Sequence, residues 1–374
     1  MGWTVDGLDY TYRKKITIDN TNVDGDLTNF PLLVKISSDT DIGGDTNADG
    51  FDVRFTSSDG STLLKFQRIH HTVTVDSLDA IYWVKVPTVN AATTTDIYIY
   101  FRSDDTADGA DPDNTWSSTH FHGVWHLNET DLDGDAGDIK DSYSAGNDGK
   151  VVGSVASITG KIYKAIQGSD NTEYIEIAGG NAELHDSDGK YSCSVWFKAA
   201  SSGSTLRIFT YWDGSSSGGD GWFLQSIADK LQVYIGELGS ANYVYDLSDA
   251  AVGDITAWNH LAWSYNAGDA NEIIIYLNGT PVAATQTGST NAGGYSNEPI
   301  YLGRLYWSNS YYGNAGSYEE ARYYKGEVAP EWFKFEFNNV NEADNELGFG
   351  DLEEFSEGGI IPLIMHLRKM QGVS

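Results

Sequence analysis

An all-β chain is expected from three observations. Short alternating apolar runs recur along nearly the whole length, clusters of Gly, Asn, Asp and Ser separate them, and only one segment carries a good helical signature. The alternation is plainest at residues 15–19, 32–36, 81–86, 97–101, 192–198, 232–235 and 273–277. Many short strands punctuated in this way pack as sandwiches rather than as α/β layers. A length of 374 residues suffices for about two domains, each burying its own core.

In chain order, the first third offers Tyr12-Arg-Lys-Lys-Ile-Thr-Ile-Asp19, Asn29-Phe-Pro-Leu-Leu-Val34, Gly50-Phe-Asp-Val-Arg-Phe-Thr56, Ile81-Tyr-Trp-Val-Lys-Val-Pro87 and Ile97-Tyr-Ile-Tyr-Phe101. The acidic stretch Asp104–Asn114 contains glycine and proline and no apolar period, which places a boundary there and a first domain at 1–115. A second domain follows at 116–335. Within it, Asn259-His-Leu-Ala-Trp-Ser-Tyr265 and Ile273-Ile-Ile-Tyr-Leu-Asn-Gly-Thr-Pro-Val282 read as antiparallel strands, and Asn278-Gly279 suits the positive φ angles of a tight hairpin turn. From Ala329 to Asn338, Pro330 fits a first helical turn and Glu331 the positive end of the dipole. Trp332, Phe333, Glu336 and Phe337 share a helical face, although Phe333, Phe335 and Phe337 also fit a strand. Residues 336–374 form a return segment ending in Ile360–Ser374, whose His366, Arg368 and Lys369 contrast with the acidic remainder. That end reads either as a docking tail for self-association or as a frayed terminus.

The strand pair at 259–282 resembles the laminin-G-like, concanavalin A-like jelly-roll module. Three further pieces fall in that module's order: Tyr191-Ser-Cys-Ser-Val-Trp-Phe-Lys198, Ile300-Tyr-Leu-Gly-Arg304 and Gly316-Ser-Tyr-Glu-Glu-Ala-Arg-Tyr-Tyr324. The first third resembles a small β domain of uncharacterised function that precedes such modules in bacterial, archaeal and viral surface proteins. The junction Gly123-Val-Trp-His-Leu-Asn-Glu129 resembles the same pairing. The resemblance implies a small N-terminal β-sandwich, then a concanavalin A-like (laminin-G-like) jelly-roll sandwich, with a short C-terminal helix and tail.

Composition narrows the partners. A formal net charge of −31 argues against nucleic acid and anionic membranes, because phosphate binding needs clustered Lys and Arg. No run reaches the roughly 18–20 apolar residues of a membrane helix. Met1-Gly-Trp-Thr-Val-Asp6 lacks the basic start and apolar stretch of a secretory leader, so either a leader was removed or export follows another route such as virion assembly. The single cysteine, Cys193, sits in an alternating strand and reads as a buried small apolar residue, leaving no intrachain disulfide. The Asp-rich loops suit either calcium or a surface adapted to high salt.

Aromatic faces stack on the C–H faces of pyranoses while polar turn residues hydrogen-bond hydroxyls. Two loops have that mix, 211–222 and 306–314, and they supply Trp212, Trp222, Trp307, Tyr311 and Tyr312 as expected sugar-binding residues. The bland alternative is that Trp222 begins a core strand and that Tyr311 and Tyr312 cover an edge. For calcium, Asp45, Asn47 and Asp49 alternate ahead of Gly50 as in an oxygen-ligand loop, but Thr56 stands where the twelfth position needs an acid. Asp131–Asp138 alternates similarly, with Ala136 where glycine is expected. The family resemblance adds Asp141, Asn147 and Glu319 as the neighbourhood of a structural calcium ion. The letters Glu342-Ala-Asp-Asn-Glu346 match a glycan-cleaving motif, but their polar setting is a loop beyond the jelly roll, so no catalytic residue is expected. His70, His71, His120 and His122 lack the spacing of a zinc set.

The resulting expectation is a non-catalytic recognition protein of an extracellular setting, a cell surface or a virion, binding glycans in adhesin, fibre or spike fashion. A purely structural self-assembling subunit is the rival, and a glycoside hydrolase a distant third.

Overall fold

The structure is a computed structural model that describes residues 2–102, 107–116, 119–143, 146–177, 189–212, 221–236, 243–266, 269, 272–288, 299–307, 310–313, 315–341, 346–356 and 361–362. Every paired strand among them is antiparallel, and the chain folds as two compact units, Met1–Thr115 with Asn338–Ser374, and Trp116–Phe337.

In the first unit, one sheet runs in the order Ile361–Pro362, Leu347–Glu354, Tyr12–Ile18, Thr95–Phe101, Arg54–Ser57, Leu63–Leu64. The second sheet sets Ser77–Val89 between Leu27–Asp39 and Phe66–Thr74. Alternation drives their inner faces together: Phe55 of one sheet meets Phe66 and Tyr82 of the other at 5.2 and 5.3 Å between ring centroids. The return segment, expected to stand apart, instead supplies the strand Leu347–Glu354 beside Tyr12–Ile18. Its polar residues do not announce a strand; two charged side chains fix the register, Arg13 Nε to Glu353 at 2.7 Å. Asn339 closes both backbone groups of Leu33, accepting from its N–H at 2.7 Å and donating to its carbonyl at 3.0 Å.

One turn in this unit is strained. Val75 and Asp76 join Thr74 to Ser77 with φ of 47° and 62°, and Val75 is 92 % exposed. A β-branched residue in the left-handed region costs about 1–2 kcal/mol and gains nothing from burial here. Val75→Asn is therefore expected to raise stability by about 1 kcal/mol, read as a rise in melting temperature of the first unit. An unchanged or lower melting temperature would show that the turn is not strained.

The second unit is a jelly roll of two sheets. One follows the order Ala156–Thr159, Lys164–Gly168, Gly316–Lys325, Lys190–Ala199, Asn259–Asn266, Ile273–Leu277, Thr280–Pro281, with Phe121–Trp125 also paired to Gly316–Lys325. The other follows Gly149–Val152, Tyr174–Ile177, Ile300–Leu302, Leu206–Trp212, Gly221–Ile227, Lys230–Gly236, Tyr243–Ser248, Ala284–Gly288. Their facing sides interdigitate around Trp222, which lies 5.4 Å from both Trp263 and Tyr323 and 5.2 Å from Phe209. Cys193 is fully buried in this core. Asn278 and Gly279 adopt φ of 51° and 73° in the expected two-residue turn.

The helix runs Pro330–Asn341, three residues beyond the sequence expectation, and settles the helix-or-strand ambiguity of the three phenylalanines. It packs on the outer face of the first jelly-roll sheet, with Phe337 stacked on Trp196 at 5.7 Å and Phe333 at 5.0 Å from Tyr276. Beneath it lies a buried charged cluster. Glu336 accepts from Arg322 Nη1 at 2.8 Å, Tyr324 Oη at 2.6 Å and Ser194 Oγ at 2.9 Å. Arg322 Nη2 also donates to Glu320 at 3.0 Å, and His126 Nδ1 lies 2.6 Å from the other Glu320 oxygen.

Candidate functional site: a groove on the outer face of the jelly roll

The outward side chains of the second jelly-roll sheet form two rows across neighbouring strands. Arg207, Gln225 and Gln232 are cross-strand partners in the polar row, and Gln225 Nε2 donates to Gln232 Oε1. Phe223, Tyr234 and Tyr245 make the aromatic row, with Phe223 and Tyr234 stacked at 4.9 Å and 5° and Tyr234 and Tyr245 at 6.2 Å and 9°. Such spacing is close to the separation of hydrogen-bonded strands, so the rings stand side by side along the sheet.

A register shift between Arg207 and Phe209 places one extra residue in the strand. Ile208 and Phe209 consequently both enter the core, while Arg207 keeps its place opposite Gln225. The hairpin of Arg304–Trp307 and Ser310–Gly313 rises beside this strand. It is tied down by Thr210 Oγ1 donating to the Arg304 carbonyl at 2.7 Å and by Gly303 N–H donating to the Arg207 carbonyl at 3.1 Å. Gly303 has φ of 87°, a conformation that favours glycine at this corner.

Trp307 of that hairpin stands nearly perpendicular to Phe223 and Tyr234, at 86° and 89°, and stacks on Trp212 at 5.6 Å and 18°. Tyr312 is 45 % exposed, and its ring centroid lies 5.7 Å from the Arg207 guanidinium. The rows and hairpin enclose a groove of about 330 Å³, floored by Gln225, Gln232, Tyr234 and Tyr245 and walled by Trp307 and Tyr312. Cavities of about 300–1,000 Å³ are the usual size for small-molecule sites. No carboxylate is among the described residues of its lining.

The expected sugar-binding residues separate on this geometry. Trp307 and Tyr312 line the groove. Trp212 does not: it is 2 % exposed, packed behind Trp307 against Phe223 and Tyr234, and so supports the wall from within. Trp222 is 1 % exposed in the inter-sheet core, where no sugar can stack, because it alternates with Phe223, whose ring faces outward. Tyr311 pairs with Tyr306 in the hairpin backbone, and its side chain lies outside the described residues, as does the loop 213–220. The sequence reading missed Arg207, Gln225, Gln232, Tyr234 and Tyr245. Polar and aromatic residues at the outward positions of otherwise apolar strands were the available signal.

The residues expected near calcium, the loop at 45–49 and the separate set of Asp141, Asn147 and Glu319, have protein partners. Asp45 pairs with Arg102, the Asn47 carbonyl meets His71 Nε2 at 3.0 Å, and Asp49 accepts from Phe51 N–H at 3.0 Å. Asp141 Oδ1 accepts from Val124 and Tyr143 N–H, each at 3.0 Å, and its Oδ2 from Asn147 Nδ2 at 3.2 Å. Burial lifts the Asp141 carboxyl to about 6 despite these bonds. Glu319 accepts the backbone N–H groups of Lys161, Ile162 and Tyr163, with burial raising it to about 7. Backbone amides thus bond Asp141 Oδ1 and the Glu319 carboxylate. Among the described residues no three His, Cys, Asp or Glu side chains group to hold a metal. Of the glycosidase-like letters, 342–345 lie outside the described residues, and Glu346 accepts from Asn22 at 2.8 Å in the first unit.

The second unit is thus a jelly roll with an aromatic and polar groove on the outer face of its second sheet. Residues 169–332 match the family model of the concanavalin A-like lectin/glucanases superfamily, of laminin G type. Residues 49–133 match a domain of unknown function, DUF2341. Both matches fall where the sequence resemblance puts its two modules. No curated protein matches the chain significantly. Among solved structures, the binding domain of Paraclostridial Mosquitocidal Protein 1 is 13 % identical with a TM-score of 0.45, covering 59 % of this chain and 52 % of that one. The receptor binding domain of botulinum neurotoxin C/D mosaic serotype is 13 % identical with a TM-score of 0.45, over 59 % and 51 %. Domain 4 of AbnA, a GH43 extracellular arabinanase from Geobacillus stearothermophilus in complex with arabinotriose, is 20 % identical with a TM-score of 0.41, over 57 % and 97 %. The chain thus spans about half the length of the two toxin domains.

Proposed function

We propose that this chain is a recognition protein that binds glycans in the groove beside the hairpin Arg304–Gly313, without catalysing their cleavage. The observation that carries the reading is one cavity combining partly exposed Tyr234, Tyr245 and Trp307 with the hydrogen-bonding amides of Gln225 and Gln232. Carbon-rich ring surfaces take the apolar faces of a sugar, and paired amides take its hydroxyls. A retaining or inverting glycosidase needs two carboxyls flanking the bond, which the described lining does not supply. An extracellular setting, on a cell surface or a virion, belongs to the same proposal; the resemblance of both modules to surface proteins and the net charge of −31 support it. Adhesin, fibre and spike roles share this chemistry.

Trp307→Ala and Tyr245→Ala are each expected to lower affinity for a glycan hit by about tenfold or more, since one exposed aromatic anchor commonly carries that much. Glycan-array binding followed by calorimetry on the full chain measures it. Both side chains lie outside the inter-sheet core, so the variants are expected to fold. Unchanged glycan affinity in both would sink the reading. A wild-type chain that binds no glycan but forms a defined oligomer would favour the structural rival.

A further inference from the structure

We propose that the sugar taken by this groove carries a carboxylate, which pairs with the guanidinium of Arg207. The inference rests on the glycan reading and narrows its ligand class. Among the described residues of the lining, Arg207 is the only one with a formal charge, in a chain where 54 acidic residues face 23 basic ones. Arg207 is thus the one positive group of the described lining, and the backbone holds it in place. The carbonyl of Arg207 accepts from Gly303 N–H and, at 2.9 Å, from the buried Tyr318 hydroxyl. The register shift beside it keeps the side chain facing outward with Gln225.

A second, independent feature points to a polyhydroxylated ligand. Gln225 is 5 % exposed, and its Oε1 is buried without a hydrogen-bond partner among the described residues. An unsatisfied buried acceptor is costly, and a ligand hydroxyl beside the carboxylate would satisfy it. Burial also depresses the Arg207 pKa to about 10, the mark of a guanidinium that has lost part of its hydration. A carboxylate matches its planar fork with two parallel hydrogen bonds and offsets that lost hydration.

Charge also limits the length of the ligand. At physiological salt, screening confines attraction to within about 8 Å, so a single acidic sugar gains from Arg207 while a long polyanion meets the repulsion of the remaining surface. Two sources share the required chemistry: a hexuronate, and a nine-carbon keto-acid sugar of the sialic type. The aromatic rows recognise the pyranose in either case.

The test is titration calorimetry on the full chain at about 0.15 M salt. The probes are methyl galacturonide against methyl galactoside, and 3′-sialyllactose against lactose. We expect one acidic probe to bind about tenfold tighter than its neutral counterpart, and the probe that does so identifies the source. Arg207→Gln should abolish that preference, and Arg207→Lys should recover only part of it, because an ammonium cannot pair bidentately. Melting temperatures within a few degrees of wild type verify folding of both variants. If wild type binds acidic and neutral probes equally, or Arg207→Gln keeps the preference, the carboxylate inference is overturned. Neutral binding that Trp307→Ala removes would then leave the glycan reading standing. If no probe binds at all, the inference falls, and array binding decides separately whether the glycan reading falls with it.

Discussion

Glu336→Ala is expected to destabilise the jelly roll by about 3–5 kcal/mol, the cost of removing one carboxylate from a buried charge cluster and leaving Arg322 short of an acceptor. Arg322 is 1 % exposed, so its guanidinium cannot turn to water when Glu336 is lost. Tyr324 and Ser194 would lose their acceptor at the same time. For a unit of this size the loss corresponds to a fall in melting temperature of about 10 °C. Glu336→Gln adds a pH signature. Burial on its own would raise the Glu336 pKa, but Arg322, His260 at 3.7 Å and the hydrogen bond from Tyr324 outweigh it and lower the value from 4.5 to about 2. A carboxyl with a depressed pKa contributes stability that is present above about 4.5 and lost as the pH falls towards 2. The drop corresponds to about 3 kcal/mol. The difference in melting temperature between wild type and Glu336→Gln should therefore be large at pH 7 and shrink towards pH 2, where the protonated acid and the amide are near-isosteres. A difference independent of pH would mean that the charge of Glu336 contributes nothing.

Trp212→Ala is expected to cost about 3 kcal/mol and to weaken glycan binding as well. Its indole is buried under the groove, between Phe223, Tyr234 and Trp307, at centroid distances of 5.6, 5.2 and 5.6 Å. Truncation leaves a void on the outer face, and the hairpin loses the surface on which Trp307 stacks. Thermal melts and glycan titration of the same variant separate the two effects. Reduced stability with unchanged affinity would show that Trp307 holds its position without this support. Trp212→Phe should restore more of both properties than the alanine variant retains, because the ring stack is partly rebuilt.

Much of the fold was legible because alternation reports local geometry directly. Residues 273–277 could only bury one face as a strand, and Asn278-Gly279 could only turn back on itself. The helix at 330–341 was legible from Pro330 and Glu331, whereas its last turn was not, since Asn339 and Val340 are buried by partners that local sequence does not reveal. The groove was hidden for a different reason. Its floor comes from the strands Leu206–Trp212, Gly221–Ile227, Lys230–Gly236 and Tyr243–Ser248, and alternation says that Tyr234 and Val233 face opposite ways without saying which way is solvent. Turn residues after Trp212 suggested an exposed ring, but the hairpin that covers it lies about ninety positions away, as the Thr210–Arg304 separation of 94 shows. The partners of Glu319 were hidden in the same way, since it binds amides 156–158 positions distant.

The strand Leu347–Glu354 carries a consequence for how the chain is made. Arg13 and Glu353, which bond across the first sheet, are 340 positions apart, so the ribosome must deliver the entire jelly roll before the opening strands meet this neighbour. During that interval the edge of Tyr12–Ile18 is left without it, a template for pairing with other nascent chains. The jelly roll can close from its own residues meanwhile. Expression of residues 1–115 alone would make that temporary condition permanent, and a fused Leu347–Glu354 segment is the natural remedy.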